Sequence, residues 1–229
     1  MIKHLACIMD GNRRWACRRG ILPWYGHREG ADVVRTVIEA CLDHGIEHLS
    51  LYAFSLENFK RPVRENRYLF KLLVDEAPSV LKECIKHSVR IRFVGERSLF
   101  PAEVLPTCDR LEEETAAYTK MQINFLFCYG AQQELLSAVK RIVADVEDGL
   151  LCPNELSKEL LEKHLWTADI PAPDLIIRTG GGRRLSNFLL YQAAYSELYF
   201  LDCLWPELTR KHLDDAIAYF YSCKRNFGT

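Results

Sequence analysis

Two segments far apart in this chain carry side chains suited to holding phosphate. Ile8-Met9-Asp10-Gly11-Asn12-Arg13-Arg14-Trp15 follows a short apolar run, and Asp174-Leu175-Ile176-Ile177-Arg178-Thr179-Gly180-Gly181-Gly182-Arg183-Arg184-Leu185-Ser186-Asn187 runs on toward Glu197. Each reads as a strand that stops at a loop of carboxylate, glycine, arginine and small hydroxyl or amide residues. Backbone N–H groups at such a loop, with guanidinium forks beside them, bind phosphate oxygens. A carboxylate aimed at a diphosphate repels it unless a divalent cation lies between them, the hard-oxygen setting that Mg²⁺ prefers. Two diphosphate sites and a divalent metal describe chemistry that joins two phosphorylated substrates.

Each feature also has a plainer reading. Asp10-Gly11 is a common turn or helix-cap pair, and Arg13, Arg14, Arg18 and Arg19 fit a solvated helix face as well as a local binding site. Ser55-Leu56-Glu57-Asn58 is a capping sequence, and Arg61-Pro62 a loop exit. Three successive glycines let a backbone approach a ligand closely, but alone they are a weak sign of a nucleotide loop. No G-x-G-x-x-G followed by a helix and a distal acid occurs, which argues against a nicotinamide-dependent dehydrogenase. Glu197 alone reads as a surface residue. Leu69, Phe70, Leu72, Leu73, Val74 and Leu81 fit an apolar tunnel and ordinary core equally well, because periodicity does not separate the two.

These residues need a scaffold. Strand-like runs at Leu5–Met9, His48–Phe54, Val89–Val94, Gln122–Phe127, Leu175–Arg178 and Leu198–Leu201 alternate with helical patterns. Val33, Val34, Val37, Ile38, Cys41 and Leu42 recur at helical spacing, and Gly45 is a natural stop. Further helices are predicted over Arg67–Lys86, with Pro78 as a kink or break, and over Gln133–Glu147. Two more run from Asn154 as N-cap to Leu165 and from Thr209 as N-cap to Lys224. The alternation predicts an α/β fold: one domain over 1–229, with a mostly parallel central sheet of about six strands flanked by helices. In such sheets ligands bind beyond the carboxyl ends of the strands. Asp10, Ser55 and Arg178 each lie at or just past such an end, so three segments can converge on one cleft.

Composition sets bounds on the remainder. With 229 residues, 48% hydrophobic and 27% charged, the chain can bury a substantial core. A formal net charge of −1 supplies no global reason to bind nucleic acid. The nine cysteines include no C-x-x-C pair, and several fall in apolar runs. They read as free thiols packed as small hydrophobes, which implies a reducing, cytoplasmic setting. No signal-peptide pattern and no run of about 20 apolar residues is present, which leaves membrane contact peripheral.

The ordered set of motifs resembles the cis-prenyltransferases, the undecaprenyl diphosphate synthase (isoprenyl transferase) family. The similarity runs from His4 to Gly228 through His4–Asn12, Gly26-His27-Arg28-Glu29-Gly30 and Leu51–Pro62. It continues through Ile177–Gly181, Arg184–Leu190, Glu197–Phe200 and Leu204-Trp205-Pro206. The resemblance implies that Asp10 binds Mg²⁺ at an allylic diphosphate, with Gly11, Asn12, Arg13, Arg14, Trp15 and His27 around that group. It places Asn12 and Ser55 near the reacting atoms, Asn58 among the catalytic-loop residues and Arg61 close to diphosphate, with Phe59 among the substrate-binding residues. It makes Arg178, Arg184 and Ser186 the clamp on isopentenyl diphosphate, and Glu197 the second metal carboxylate. It further implies farnesyl diphosphate or another allylic starter, a long product of undecaprenyl type used as a cell-wall lipid carrier, and a homodimer. A related but non-catalytic partner subunit is the rival, which retention of Asp10, Asn12, Ser55, Arg178, Arg184, Ser186 and Glu197 disfavours. The chain departs from the family pattern at Pro23, where a basic residue is usual, and at Cys128, Ala131 and Gln132. It departs again at Gly182, where an acid is usual.

Overall fold

The computed structural model describes residues 1–224. Six strands form one sheet in the order β3-β4-β2-β1-β5-β6: β1 His4–Ile8, β2 His48–Ser55, β3 Val89–Val94, β4 Met121–Tyr129, β5 Leu175–Arg178 and β6 Glu197–Phe200. Every neighbouring pair is parallel. Helices cover both faces, so β1 and β5 are buried along their whole length, including His4 and Arg178 at their ends. Successive side chains of β1 divide between two cores. Leu5 and Cys7 join the larger one, and Ala6 and Ile8 join the smaller one, the two-residue alternation of a strand.

The helices are α1 Asn12–Arg18, α2 Gly26–Asp43, α3 Val63–His87, α4 Leu105–Thr115, α5 Ala131–Glu147, α6 Lys158–His164 and α7 Arg210–Ser222. Several differ from expectation. α3 runs unbroken through Pro78; the proline is exposed, while Ala77 and Leu81 beside it are buried. Packing of the inner face outweighs the local cost of the proline, about 3 kcal/mol. α4 has no counterpart in the predicted elements, because only Cys108, Leu111 and Thr115 of its residues are buried. α6 starts at Lys158, with Ser157 as its cap: the Ser157 hydroxyl accepts from the Leu160 N–H at 3.2 Å. Asn154 instead lies in a short turn before it. α7 stops at Ser222, short of Lys224. All nine cysteines are free.

Connections leave β1 toward β2 on one side, while β5 returns on the other, so the order reverses at β1. A crevice beyond the carboxyl ends of β1, β2 and β5 is the consequence.

Candidate active site

The chain turns sharply after β1. The Asp10 N–H donates to the Ile8 carbonyl at 2.9 Å, and the Asp10 carbonyl accepts from Thr179 Oγ1 at 2.7 Å and from the Trp205 N–H at 3.0 Å. These contacts fasten the turn to the β5 loop and to the segment after β6. Gly11 follows with φ +112°, and a Cβ there would lie 2.9 Å from Leu204. Only glycine serves, for both conformation and space. α1 then begins at Asn12, whose Nδ2 donates to the Met9 carbonyl at 3.1 Å. The buried Asn12 Oδ1 has no hydrogen-bond partner among the described residues.

The Asp10 carboxylate stands between two arginines. Its Oδ1 accepts from Arg14 at 3.2 Å and its Oδ2 from Arg178 at 2.9 Å. Arg178, at the end of β5, is 4% exposed. Its Nη1 donates to Ser186 Oγ at 2.7 Å and to the Arg184 carbonyl. Glu65 plays a corresponding part on the other side. It is buried on α3, with Oε1 3.3 Å from Arg13 Nε and 3.4 Å from Arg61 Nη1. The loop after β5 is held by Asn187, whose Nδ2 donates to Glu57 at 2.8 Å and to Gln133 at 3.0 Å. Its Oδ1 accepts from the Gln132 N–H at 2.9 Å. The segment containing Ala131 and Gln132 therefore contacts this loop through backbone as well as side chain.

Three spaces meet here. One, about 280 Å³, is lined by Asp10, Gly11, Asn12, Arg13, Arg14, His27 and Arg61. A second, about 630 Å³, is lined by Asp10, Tyr52, Ser55, Asn58, Arg61, Arg178, Arg184 and Ser186 among others. A third, about 220 Å³ and mostly apolar, runs under them between α2, α3 and the sheet. Met9 and Arg61 line all three, and Asp10 lines both polar clefts. Burial, with Arg61 and Arg13 adding to it, pushes the His27 imidazole down to about 3. His27 therefore faces the first cleft as a neutral hydrogen-bonding group.

Most residues expected in the site do gather here, but three do not. Trp15 stacks under Arg19, 3.8 Å from the guanidinium to the ring centre, and Phe59 packs edge-on against Phe54 at 5.0 Å; neither lines the clefts. Glu197 stands apart from Asp10. It pairs with Leu175, and Leu175 with Leu5, at the amino end of the sheet. Asp10 lies beyond the other end of β1, about 16 Å further along at about 3.3 Å per residue. One chain therefore does not bring both carboxylates to one metal. Of the tunnel candidates, Leu69, Leu72 and Leu73 line the apolar cavity. Phe70 and Leu81 are core, and Val74 packs against it. Sequence reasoning missed Glu65 and Tyr52. The first carried a signal, four residues after Arg61 on a helix; Tyr52, inside a strand, carried none.

Asp10 fits a Mg²⁺ ion that arrives with its substrate. A single carboxylate beside arginine-lined clefts matches the way this ion binds through one or two carboxylates, waters and substrate phosphates. Among the described residues no group of three or more His, Cys, Asp or Glu forms a self-sufficient metal cage.

Comparison with known proteins agrees with this geometry. A family model described as "Putative undecaprenyl diphosphate synthase" matches residues 8–228. The chain is 42% identical over 230 residues to an isoprenyl transferase of Halalkalibacterium halodurans, covering 99% of this chain and 88% of that one. Lavandulyl diphosphate synthase from Lavandula x intermedia, solved with dimethylallyl diphosphate, superposes with a TM-score of 0.96 at 32% identity, covering 100% of this chain and 98% of that one. A probable undecaprenyl diphosphate synthase from Campylobacter jejuni gives 0.83 at 34% identity, covering 100% and 99%.

Proposed function

The chain belongs to the cis-prenyltransferase family of undecaprenyl diphosphate synthases and is a prenyl transferase, and from that premise we propose its substrates and the roles of its residues. The observation that carries the proposal is the meeting of two arginine-lined clefts at Asp10, directly above an apolar cavity.

The allylic substrate, farnesyl diphosphate, places its diphosphate in the cleft of Gly11, Asn12, Arg13, Arg14, His27 and Arg61, with its hydrocarbon in the cavity beneath. Isopentenyl diphosphate occupies the second cleft, held by Arg178, Arg184 and Ser186. Mg²⁺, bound by Asp10 and substrate oxygens, supplies positive charge that stabilises the departing diphosphate. Arg13, Arg14 and Arg61 add charge from fixed positions, an arrangement that stabilises the transition state without reorganisation. As the allylic C–O bond breaks, its electron pair leaves with the diphosphate. The double bond of isopentenyl diphosphate then attacks the allylic carbon, and a proton is lost to leave a cis alkene. Asn12, on the first cleft, and Ser55 and Asn58, on the second, orient the reacting ends. The product is again an allylic diphosphate, so the cycle repeats toward a long polyprenyl diphosphate of undecaprenyl type, a lipid carrier for cell-wall synthesis.

The reading extends to one catalytic domain over 1–229, a homodimer and a cytoplasmic enzyme that touches a membrane peripherally. A groove between α5, α6 and residues 190–195 exposes Val139, Val143, Leu156 and Tyr195, which supports the dimer. No helix among the described residues is long and apolar enough to cross a membrane.

Incubation of purified protein with labelled isopentenyl diphosphate, farnesyl diphosphate and Mg²⁺ tests the proposal. Labelled, extractable prenyl diphosphates are expected. Failure to form them with any allylic starter would leave the non-catalytic partner subunit as the better description.

A further inference from the structure

We infer that Asn187 is a positioning residue that fixes the isopentenyl diphosphate clamp against the turn carrying Ser55 and Asn58, an inference that rests on the prenyl-transfer reading above. Two walls of the second cleft are loops. Arg184 and Ser186 stand on the one after β5, and Ser55, Glu57 and Asn58 on the turn that ends β2. The Asn187 Nδ2 crosses between them to Glu57 Oε1 at 2.8 Å. Tyr52, within β2, reaches the same loop only at 3.4 Å. The turn on the far side is itself closed, since the Ser55 N–H donates to Asn58 Oδ1 at 3.2 Å. Holding Glu57 therefore holds its neighbours Ser55 and Asn58.

Both Nδ2 hydrogens and the Oδ1 of Asn187 are engaged. The second hydrogen goes to Gln133 Oε1 at 3.0 Å, and Oδ1 accepts from the Gln132 N–H at 2.9 Å. The Asn187 carbonyl accepts from the Ala131 N–H, also at 2.9 Å. Those two N–H groups open α5 and have no partner inside the helix. The clamp is thus fastened to a helix end as well as to the opposite wall. Both of these bonds come from backbone donors, so the departures at Ala131 and Gln132 leave them intact. Two further features show a chain built around this amide. Gly130 has φ −159°, which any residue adopts, yet a Cβ there would lie 2.7 Å from Asn187 Nδ2; the glycine supplies space, not conformation. Ser186 and Asn187 lie at φ +52° and +64°, a left-handed stretch in which asparagine is among the few side chains readily tolerated. Fixed in this way, Ser186 keeps its Oγ 2.7 Å from Arg178.

Steady-state turnover with labelled isopentenyl diphosphate, farnesyl diphosphate and Mg²⁺, read beside urea unfolding of the same preparations, tests the inference. Glu57 is exposed, so Glu57→Ala removes the bridge and no core contact. Asn187→Gly keeps the left-handed backbone and removes the amide. Each should lower kcat about tenfold through lost alignment of the reacting groups, with the KM for farnesyl diphosphate moving by less than about twofold. The double variant should fall no further than the lower single one, because both lose the same bond. Glu57→Gln, which still offers an oxygen to Asn187, should recover most of the turnover lost in Glu57→Ala. A role confined to capping α5 gives a different pattern: Asn187→Gly loses stability while Glu57→Ala turns over normally. That pattern, or losses that multiply in the double variant, would overturn the inference; if Asn187→Gly fails to fold, the two Glu57 variants decide the matter. Absence of product from the unaltered enzyme with every allylic starter would instead overturn the prenyl-transfer reading.

Discussion

Removing the Asp10 carboxylate should strengthen diphosphate binding in the absence of metal while abolishing most turnover in its presence. Without substrate, Asp10 accepts from Arg178 at 2.9 Å and from Arg14 at 3.2 Å. An incoming diphosphate must compete with it for both guanidiniums. A hydrogen bond to a charged group contributes about 1.5–3 kcal/mol, and Arg178, at 4% exposure, falls in that range. Arg14 is 52% exposed, so solvent screening reduces its share to about 0–1 kcal/mol. About 2 kcal/mol of competition therefore disappears in Asp10→Ala, together with the repulsion between carboxylate and diphosphate. With tenfold in affinity for each 1.4 kcal/mol, inorganic diphosphate in the presence of a chelator should bind about 20- to 30-fold more tightly to the variant. Turnover with saturating substrates and Mg²⁺ should fall about a hundredfold or more, since the charge that stabilises the leaving group is no longer anchored. Calorimetric titration and a turnover assay on one preparation read both quantities. Weaker diphosphate binding without metal would refute the competition; near-normal turnover in a folded variant would refute the metal role.

Arg184→Ala should raise the KM for isopentenyl diphosphate far more than that for farnesyl diphosphate; equal effects on both would move Arg184 out of the second cleft. Leu73→Phe should shorten products because Leu73 lines the cavity. Unchanged products with stability lower by about 1–3 kcal/mol would mark an overpacked core position instead. His4 is 1% exposed and burial lowers it to about 4, so between pH 6.5 and 4 the unfolded chain binds the extra proton. Its contribution, about 3 kcal/mol at most by linkage, is fully present above pH 6.5 and is lost as pH falls through that window. Urea unfolding at pH 7 and pH 4.5 measures it, and His4→Gln should flatten the difference. Pro23→Arg should tighten farnesyl diphosphate binding without raising turnover much, as direct titration would show; no change there, with about a tenfold loss in Arg28→Ala or Arg18→Ala, would assign that charge to an existing arginine.

The strands were the most legible part of the fold. Val89–Val94 and Leu175–Arg178 fall where the sequence pattern put them, the first as an edge strand alternating buried apolar residues with Arg90 and Arg92, the second as a short, fully buried run. Helix α4 left little record, with one thin buried stripe and Pro106 near its start. Pro78 misled in the opposite direction, since a local rule about proline does not register what the rest of a long helix buries. Side chains at strand ends were legible for the same reason as the strands: Asp10, Ser55 and Arg178 converge because the parallel sheet aligns those ends. Glu197 was the reverse case. Its motif sits beside the clamp in sequence, yet it opens β6 rather than closing it, and a parallel strand carries its first residue to the far edge.

Gly182 connects the sequence departures to the chemistry of Asp10. A Cβ at this position would lie 2.9 Å from Arg178 Nε, and that buried nitrogen has no hydrogen-bond partner among the described residues. Where the resemblance leads one to expect an acid beside this arginine, the chain has neither space for a Cβ nor a charge. Arg178 instead directs its Nη atoms to Asp10 and Ser186. The carboxylate proposed to meet the metal is thus also the counter-ion of the buried Arg178. Because Arg178 is shielded from water, substrate oxygens that take over from Asp10 restore a charge-assisted contact instead of creating one where water had been. Under the proposed reading, a diphosphate in the second cleft would release Asp10 toward the first.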